Sequence, residues 1–397
     1  MASPPETPNA GGRPLADVRI LDLSRLLPGP YATLLLADLG AQVDKLEDPQ
    51  GDGTRQMGAR VGGESALYLA LNRNKRSLVL DLKRPEGVAA LKRLVRGYDV
   101  LVESFRPGVM AKLGLSYETL KEEHPRLIYC AITGYGQTGP DRLKAGHDLN
   151  YIARSGALGY GGDPSGLPAM PGVQMADIGG AMFAVTGILA ALHEQRRTGV
   201  GRLVDVAMNE ASLSFLHLHL GGRLMAGGEG APLARGREVL NGGLPCYRVY
   251  GTKDGRALAV GALEPKFFAG LLGKLGRMDL MEEAYALGEG ADRVRAVLEG
   301  IFRERPLAEW AAFFAGTDFC VEPVLEGDEV LADAQLQARG MFVRTQDEKR
   351  AVALTHLRTP LSFGPPRCES PASLGEHTRQ VLEEAGFSAD EVNGLRV

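Results

Sequence analysis

Val18-Arg-Ile-Leu-Asp-Leu-Ser-Arg-Leu-Leu-Pro-Gly-Pro-Tyr-Ala-Thr-Leu-Leu-Leu-Ala-Asp-Leu-Gly-Ala-Gln-Val-Asp-Lys-Leu46 holds one repeating unit of the fold. Val18–Leu23 is a short apolar run and reads as a buried strand. Gly29–Leu39 reads as a helix that stops at Gly40, and Gln42–Leu46 as a second strand. The pattern continues along the chain. Ser77–Leu82 reads as a strand. Pro85–Gly97 reads as an amphipathic helix with Pro in its first turn and Gly at its end. Asp99–Ser104, a helix at Ser116–Glu123 and a strand at Leu127–Thr133 follow. Strands alternating with helices imply crossover units, and so an α/β fold with a mainly parallel sheet.

Beyond this block the texture changes. Gly156–Gly172 is too rich in Gly and Pro for a regular element and reads as a loop. Asp177 opens a long apolar helix to about Arg197, followed by a strand at Arg202–Met208 and a helix at Asn209–Met225. Cys246–Thr252 and Arg256–Gly261 flank Lys253-Asp-Gly255, a hairpin signal. Val321–Val324 and Met341–Thr355 read as extended chain, and His377–Ala385 as a last helix. The domain boundaries expected are a disordered tail at 1–14, a large domain at 15–225 completed by 335–397, a linker at 226–244 and a smaller α+β domain at 245–330.

Composition limits the function classes. The 397 residues carry 45 Lys+Arg against 49 Asp+Glu, so no basic field marks a nucleic-acid partner. The four cysteines have no CxxC spacing, which argues against zinc or a redox motif, and no metal is expected. The N-terminal segment lacks signal-peptide order, and stretches such as Ala181–Leu192 fall short of a membrane span. A cytoplasmic chain with no membrane partner is the expectation.

Three stretches offer chemistry. Gly146-His-Asp-Leu-Asn-Tyr151 follows a Gly/Pro-rich turn and opens a predicted helix. His147 or Asp148 suits its cap, and the dipole there disfavours an imidazolium, leaving His147 able to act as a base. On spacing alone a capping and packing cluster is the better reading. Met175-Ala-Asp-Ile-Gly-Gly180 places Asp177 at an N-cap position, with glycines that admit close approach. Glu264 precedes Pro265 at a helix start. Each of these last two is more simply an ordinary helix-start carboxylate. His217-Leu-His219 does not suit a metal, since i,i+2 residues on a helix point apart. Gly159-Tyr-Gly-Gly162 and Leu27-Pro-Gly-Pro30 are not dinucleotide fingerprints. Met170, Met175, Met182 and Met208 suit either an adaptable apolar wall or plain core.

In order and spacing these stretches resemble one family, the class III CoA-transferases (CaiB/BaiF-like) with the related 2-methylacyl-CoA racemases. The resemblance runs from about Leu15 to Val343. It is carried by Leu27-Pro-Gly-Pro-Tyr-Ala32, Ala37-Asp-Leu-Gly-Ala41, Leu71-Asn-Arg-Asn-Lys75, Leu80-Asp-Leu-Lys83, Val102-Glu-Ser-Phe-Arg-Pro-Gly108, Gly134-Tyr-Gly-Gln-Thr-Gly-Pro140 and Glu322-Pro-Val-Leu325. The intact Gly146–Tyr151 motif with its His, Leu240-Asn-Gly-Gly243 and Gly261-Ala-Leu-Glu-Pro265 are similar to the racemase branch.

The resemblance implies a large Rossmann-like domain, a small domain and an interlocked homodimer. It implies an acyl-CoA thioester substrate and no separate cofactor, since CoA belongs to the substrate. It also implies inversion at C2 with His147 and Asp177 as acid/base groups and Glu264 orienting His147. On the same ground CoA lies along Leu80, Asp81, Leu82, Lys83, Ser104, Phe105, Arg106, Lys112, Gly146, Asp148, Leu149, Asn150 and Tyr151. Lys83, Arg106 and Lys112 suit phosphate oxygens. One departure stands out: related racemases can place an arginine before the proline near the second strand, where this chain has Asp48-Pro49, with Lys45 as the nearest cation. The alternative activity is acyl-CoA:carboxylate CoA transfer with Asp177 as nucleophile. A catalytically dead CoA-binding protein is a third reading.

Overall fold

Strand β1 (Arg19–Asp22) runs parallel to β2 (Gln42–Glu47) on one side, and β2 to β3 (Lys75–Val79). On its other side β1 pairs with β4 (Val100–Glu103), then β5 (Ile128–Thr133) and β6 (Leu203–Ala207), all parallel. The order β3-β2-β1-β4-β5-β6 is that of a dinucleotide-type doubly wound sheet. It arises without a G-x-G-x-x-G loop. The turn after β1 uses Leu27-Pro28-Gly29-Pro30 instead, with Pro28 fixing the first turn of helix α1 (Pro28–Asp38). A Cβ on Gly29 would lie 2.1 Å from Ser24 Cβ, so only glycine lets α1 start this close to the strand.

The structure is a computed structural model and describes residues 12–227, 234–361 and 363–395. The expected tail at 1–14 lies outside these residues up to position 11, as do positions 228–233 of the expected linker. The chain divides into two compact units. The first holds the described residues of Met1–Ser155, Val173–Ser214 and Ala334–Val397; the second holds those of Gly156–Gly172 and Phe215–Asp333. Residues 156–172, expected as a loop but opening with a short helix at Ala157–Tyr160, and the helix after Phe215 thus group with the second unit, whereas sequence reading placed them in the large domain.

In the first unit, one face of the sheet packs Leu21, Leu78, Leu101 and Tyr129 against α2 (Pro85–Leu94), through Ala90, Leu91 and Leu94. Val381, Leu382 and Val392 of the C-terminal helices at Thr378–Glu384 and Ala389–Gly394 close that core. Each fully buried Leu or Val contributes about 1.5–3 kcal/mol. The strands Phe342–Asp347 and Val352–Leu357 form a hairpin with Ala351 at φ 52. The sequence showed only extended chain there.

Three further elements follow in this unit: α3 (Tyr117–Glu123), α4 (Asp148–Ser155) and α5 (Met175–Thr198). Helix α5 is 24 residues long and by length and composition is able to cross a bilayer, longer than the Ala181–Leu192 stretch suggested. In this fold it packs against α1, and Ala181, Ala184, Ile188 and Ala191 are buried. The helix expected at Asn209–Met225 is two helices, α6 (Met208–Ser214) and His217–Met225.

In the second unit, strands Tyr247–Gly251 and Ala257–Gly261 form the expected antiparallel hairpin, and Val321–Pro323 adds a third strand. Helices at Pro265–Leu275, Glu289–Phe302 and Leu307–Phe314 cover it with Phe268, Phe302, Trp310 and Phe314.

Candidate active site

Parallel doubly wound sheets bind ligands beyond the carboxyl ends of their strands, where the strand order reverses. Here that point lies between β1 and β4, and the first unit has a cleft of about 520 Å³ there. Arg25 and Leu26 line it from the end of β1, Ser104–Pro107 from the end of β4, and Ile132–Gly134 from the end of β5. Arg142, Lys144, Gly146, His147, Tyr151, Asp177 and Met208 line it as well, together with Pro28, Gly53 and Ala145.

A buried ionic network fixes the β1 end. Asp22 accepts from Ser24 N–H at 2.9 Å and Thr33 Oγ1 at 2.5 Å, and pairs with Lys75 Nζ at 3.3 Å. Although burial alone would raise it, Lys45 and Lys75, with the side-chain hydroxyls of Ser24 and Thr33, hold Asp22 down at about 2. Lys45 pairs with Asp52 at 2.9 Å and donates to Ser24 O at 2.8 Å, both groups being buried. It is therefore spent inside the fold and is no substitute for an arginine at position 48. The cation beside Asp48 is Arg25, 3.1 Å away. Arg25 also lies 4.9 Å over the Phe105 ring, and its N–H donates to Ser104 Oγ at 2.9 Å.

Tyr151 organises the histidine motif. Its hydroxyl donates to Gly146 O at 2.5 Å, and its ring meets Tyr135 edge-on at 5.2 Å. A Cβ on Gly134 would lie 2.4 Å from that ring, so Gly134 makes room for it. His147 C=O accepts from Asn150 N–H at 2.8 Å, and Asn150 Oδ1 accepts from His147 N–H at 3.0 Å. The backbone is thus pinned while the His147 side chain stays exposed on the cleft wall.

Asp177 is not an N-cap. Gln174 occupies that position and gives no side-chain cap, and Asp177 stands in the first turn of α5. The capping acceptor comes from Asp148, whose Oδ1 takes Ala176 N–H at 2.6 Å and Asp177 N–H at 3.1 Å. Burial, then repulsion from Asp148, pushes the Asp177 carboxyl up to about 7. These outweigh the helix dipole, which by itself would favour the carboxylate. The Ala176 and Asp177 amides are thus taken by Asp148 and are not open to a substrate oxygen.

Not all expected site residues line this cleft. Ser104, Phe105, Arg106, Gly146, His147, Tyr151 and Asp177 do. Leu80 is buried in the core and Leu82 packs against it. Asp81 faces a separate pocket with Val79 and Arg379. Lys83 is exposed and its N–H donates to Asp81 Oδ1 at 3.0 Å. Lys112 is exposed at the end of the short helix Val109–Lys112, and Leu149 and Asn150 are exposed on α4. Glu264 lies in the second unit, as N-cap of the helix begun by Pro265. Of the methionines, only Met208 lines the cleft.

Arg25, Arg142 and Lys144 were missed. Arg25 follows the first strand and the other two sit beside the histidine motif, which is the signal that would have found them. Arg106, Arg142 and Lys144 have no ion-pair partner among the described residues, so the cleft offers unspent positive charge to an anion. No group of three or more His, Cys, Asp or Glu able to hold a metal occurs among the described residues.

Residues 15–378 match CoA-transferase family III. The chain belongs to that family. Among family members, alpha-methylacyl-CoA racemase from Homo sapiens is 39% identical over 385 residues, covering 96% of each chain. Succinate–glutarate CoA-transferase from Agrobacterium fabrum is 37% identical, covering 94% of this chain and 95% of its own. A crystal structure of a CaiB/BaiF family protein from Brucella suis superposes with a TM-score of 0.81 at 32% identity, covering 94% of this chain and all of that one. A family III fold thus carries both racemases and transferases at similar likeness to this chain.

Proposed function

We propose that this family III member is a racemase that inverts C2 of 2-methylacyl-CoA thioesters. The observation that carries the reading is that His147 and Asp177 line one cleft, with Asp177 held near neutrality by burial and Asp148. Inversion needs one group to take the C2 proton and another, already protonated, to give one to the opposite face. A carboxyl that titrates at about 7 can serve in either form at neutral pH. The electron pair of the C2–H bond moves onto the thioester oxygen as an enolate, and collapses when the second group delivers its proton. That oxygen needs a hydrogen-bond or cationic partner to carry its charge, and the unpaired cations of the cleft wall, Arg106, Arg142 and Lys144, supply positive charge there. Arg25, Arg106, Arg142 and Lys144 hold the phosphates of CoA. On the family resemblance Lys83 and Lys112 meet outlying parts of the nucleotide.

The working form is proposed to be a homodimer in the cytoplasm. Met182, Phe183 and Leu189 leave an exposed apolar stripe on α5 for a second copy to cover. The four cysteines are all unpaired, as a reducing compartment allows. A folded, active species of 42.4 kDa at high dilution would contradict the dimer.

CoA transfer is the second reading, favoured by the 37% identity to a transferase and by Asp177 as a carboxyl nucleophile. One experiment separates the two. The protein is incubated in D2O with (R)- and (S)-2-methylacyl-CoA, with and without succinate. Racemisation gives deuterium at C2 and both epimers without the acid. Transfer gives succinyl-CoA and free 2-methyl acid, and requires the acid.

A further inference from the structure

Glu103 closes β4 and is 4% exposed, yet it has no ion-pair partner among the described residues. Its Oε2 accepts the Phe105 N–H at 2.7 Å, and the Tyr129 hydroxyl bonds to the same carboxyl. The groups that face it are Tyr129 and Cys130 on β5 and Asp205 on β6. None is a cation. The segment it holds is the Ser104–Pro107 wall of the cleft. That wall in turn holds the opposite side: Ser104 Oγ takes Arg25 N–H, and the Phe105 ring carries the Arg25 guanidinium. The Phe105 N–H thus anchors the Ser104–Pro107 wall, and with it the Arg25 contacts, to a buried carboxyl of the sheet.

We propose that Glu103 is a positioning residue: through the Phe105 N–H it sets the Ser104–Arg106 wall, and its ionisation tightens the grip of the cleft on the CoA thioester. The proposal rests on the reading that Arg106 meets CoA. Burial, with a smaller push from Asp205, raises the Glu103 carboxyl to about 7. A hydrogen bond to an ionised acceptor is roughly twice as strong as one to a neutral acceptor. The wall is thus better fixed above neutrality than below it.

The test is the KM for an acyl-CoA between pH 6 and 8, with kcat recorded separately. The CoA 3′-phosphate also loses a proton near pH ~6. The series is therefore repeated with the 3′-dephospho-CoA thioester. In the unaltered protein KM falls roughly three- to tenfold across this range with either thioester. Glu103→Gln keeps an acceptor for the Phe105 N–H but cannot ionise, so its KM stays high and flat with pH. Glu103→Ala removes the acceptor and raises KM further. A flat KM in the unaltered protein with the 3′-dephospho thioester overturns the proposal without any variant. So does a Glu103→Gln protein that keeps the wild-type slope. Arg106→Ala distinguishes the two levels. If it raises KM while the Glu103 variants leave KM and its slope unchanged, only the positioning role fails. If Arg106→Ala leaves KM unchanged, the assignment of this wall to CoA fails beneath it.

Discussion

The Asp148 carboxylate accepts the backbone N–H of Asp177 at 3.1 Å, joining two motifs that lie 29 residues apart. One carboxylate caps the helix that carries the other, and its charge acts on that neighbour at close range. The histidine motif and the aspartate motif are thus one structural piece, with Asp148 as the hinge between them.

Asp148→Asn tests this coupling. The amide Oδ1 still accepts the Ala176 and Asp177 N–H groups, so the helix start is kept while the like charge is removed. Asp177 then titrates below about 7, though burial still holds it above the usual 3.8. For the C2 enantiomer whose proton Asp177 abstracts, the base must be ionised. The acidic limb of kcat/KM in Asp148→Asn therefore moves to lower pH, and activity at pH 6 rises relative to that at pH 8. A limb that stays in place would show that Asp148 only caps.

The same raised carboxyl makes stability depend on pH. Asp177 has a folded value of about 7 against an unfolded value near 3.8, so between these the folded chain binds more protons. Its contribution is fully present below about pH 4 and is lost as pH rises through 7. Asp177→Asn, neutral at every pH, removes the penalty. At pH 8 it should unfold at higher urea than the parent, by about 1–2 kcal/mol after discounting for partial exposure. At pH 4 the two should coincide. Equal curves at pH 8 would place the titration elsewhere.

Much of the first unit was legible because its signals are local. Val18–Leu46 carries its strand, helix and strand as apolar runs cut by Pro28 and Gly40. What sequence reading lost depended on contacts made at a distance. Asp177 looked like a cap because it precedes an apolar helix, whereas the real acceptor, Asp148, comes from another helix. Lys45 looked like a free cation, but folding buries it between Asp52 and the Ser24 carbonyl. The hairpin at Phe342–Leu357 was invisible as two strands because its turn, Glu348-Lys-Arg-Ala351, uses no Gly or Asn at the left-handed position. The break between α6 and the helix at His217 has no Gly or Pro either.

Charge in the cleft should be read in KM. Arg106 and Arg142 line it without ion-pair partners, so each is free to meet a phosphate. Loss of one charge-assisted contact costs about 1.5–3 kcal/mol, or roughly ten- to a hundredfold in KM. The phosphates lie far from C2, so Arg106→Ala and Arg142→Ala should leave kcat within a few-fold and weaken the salt dependence of KM. A collapsed kcat with normal KM in either variant would mean that the residue works at the reacting carbon instead.

The two-base mechanism makes the sharpest demand. If His147 and Asp177 address opposite faces of C2, each controls the proton of one enantiomer. His147→Ala then loses inversion but keeps the means to exchange the proton that faces Asp177, with retention of configuration. Asp177→Asn shows the mirror pattern, because the amide is nearly isosteric and cannot accept the proton. A single acid/base group contributes about 10²–10⁴-fold, so loss of racemisation is far outside assay error for both variants. Deuterium wash-in from D2O, followed separately for (R)- and (S)-thioesters by mass spectrometry and chiral analysis, reads both patterns at once. Stereospecific exchange in one variant and its mirror in the other would assign the faces. Near-full racemisation by either variant removes that residue from the pair. Were His147→Ala the survivor, the carboxyl at position 177 would be acting alone, as a single base or as the nucleophile of a CoA transfer.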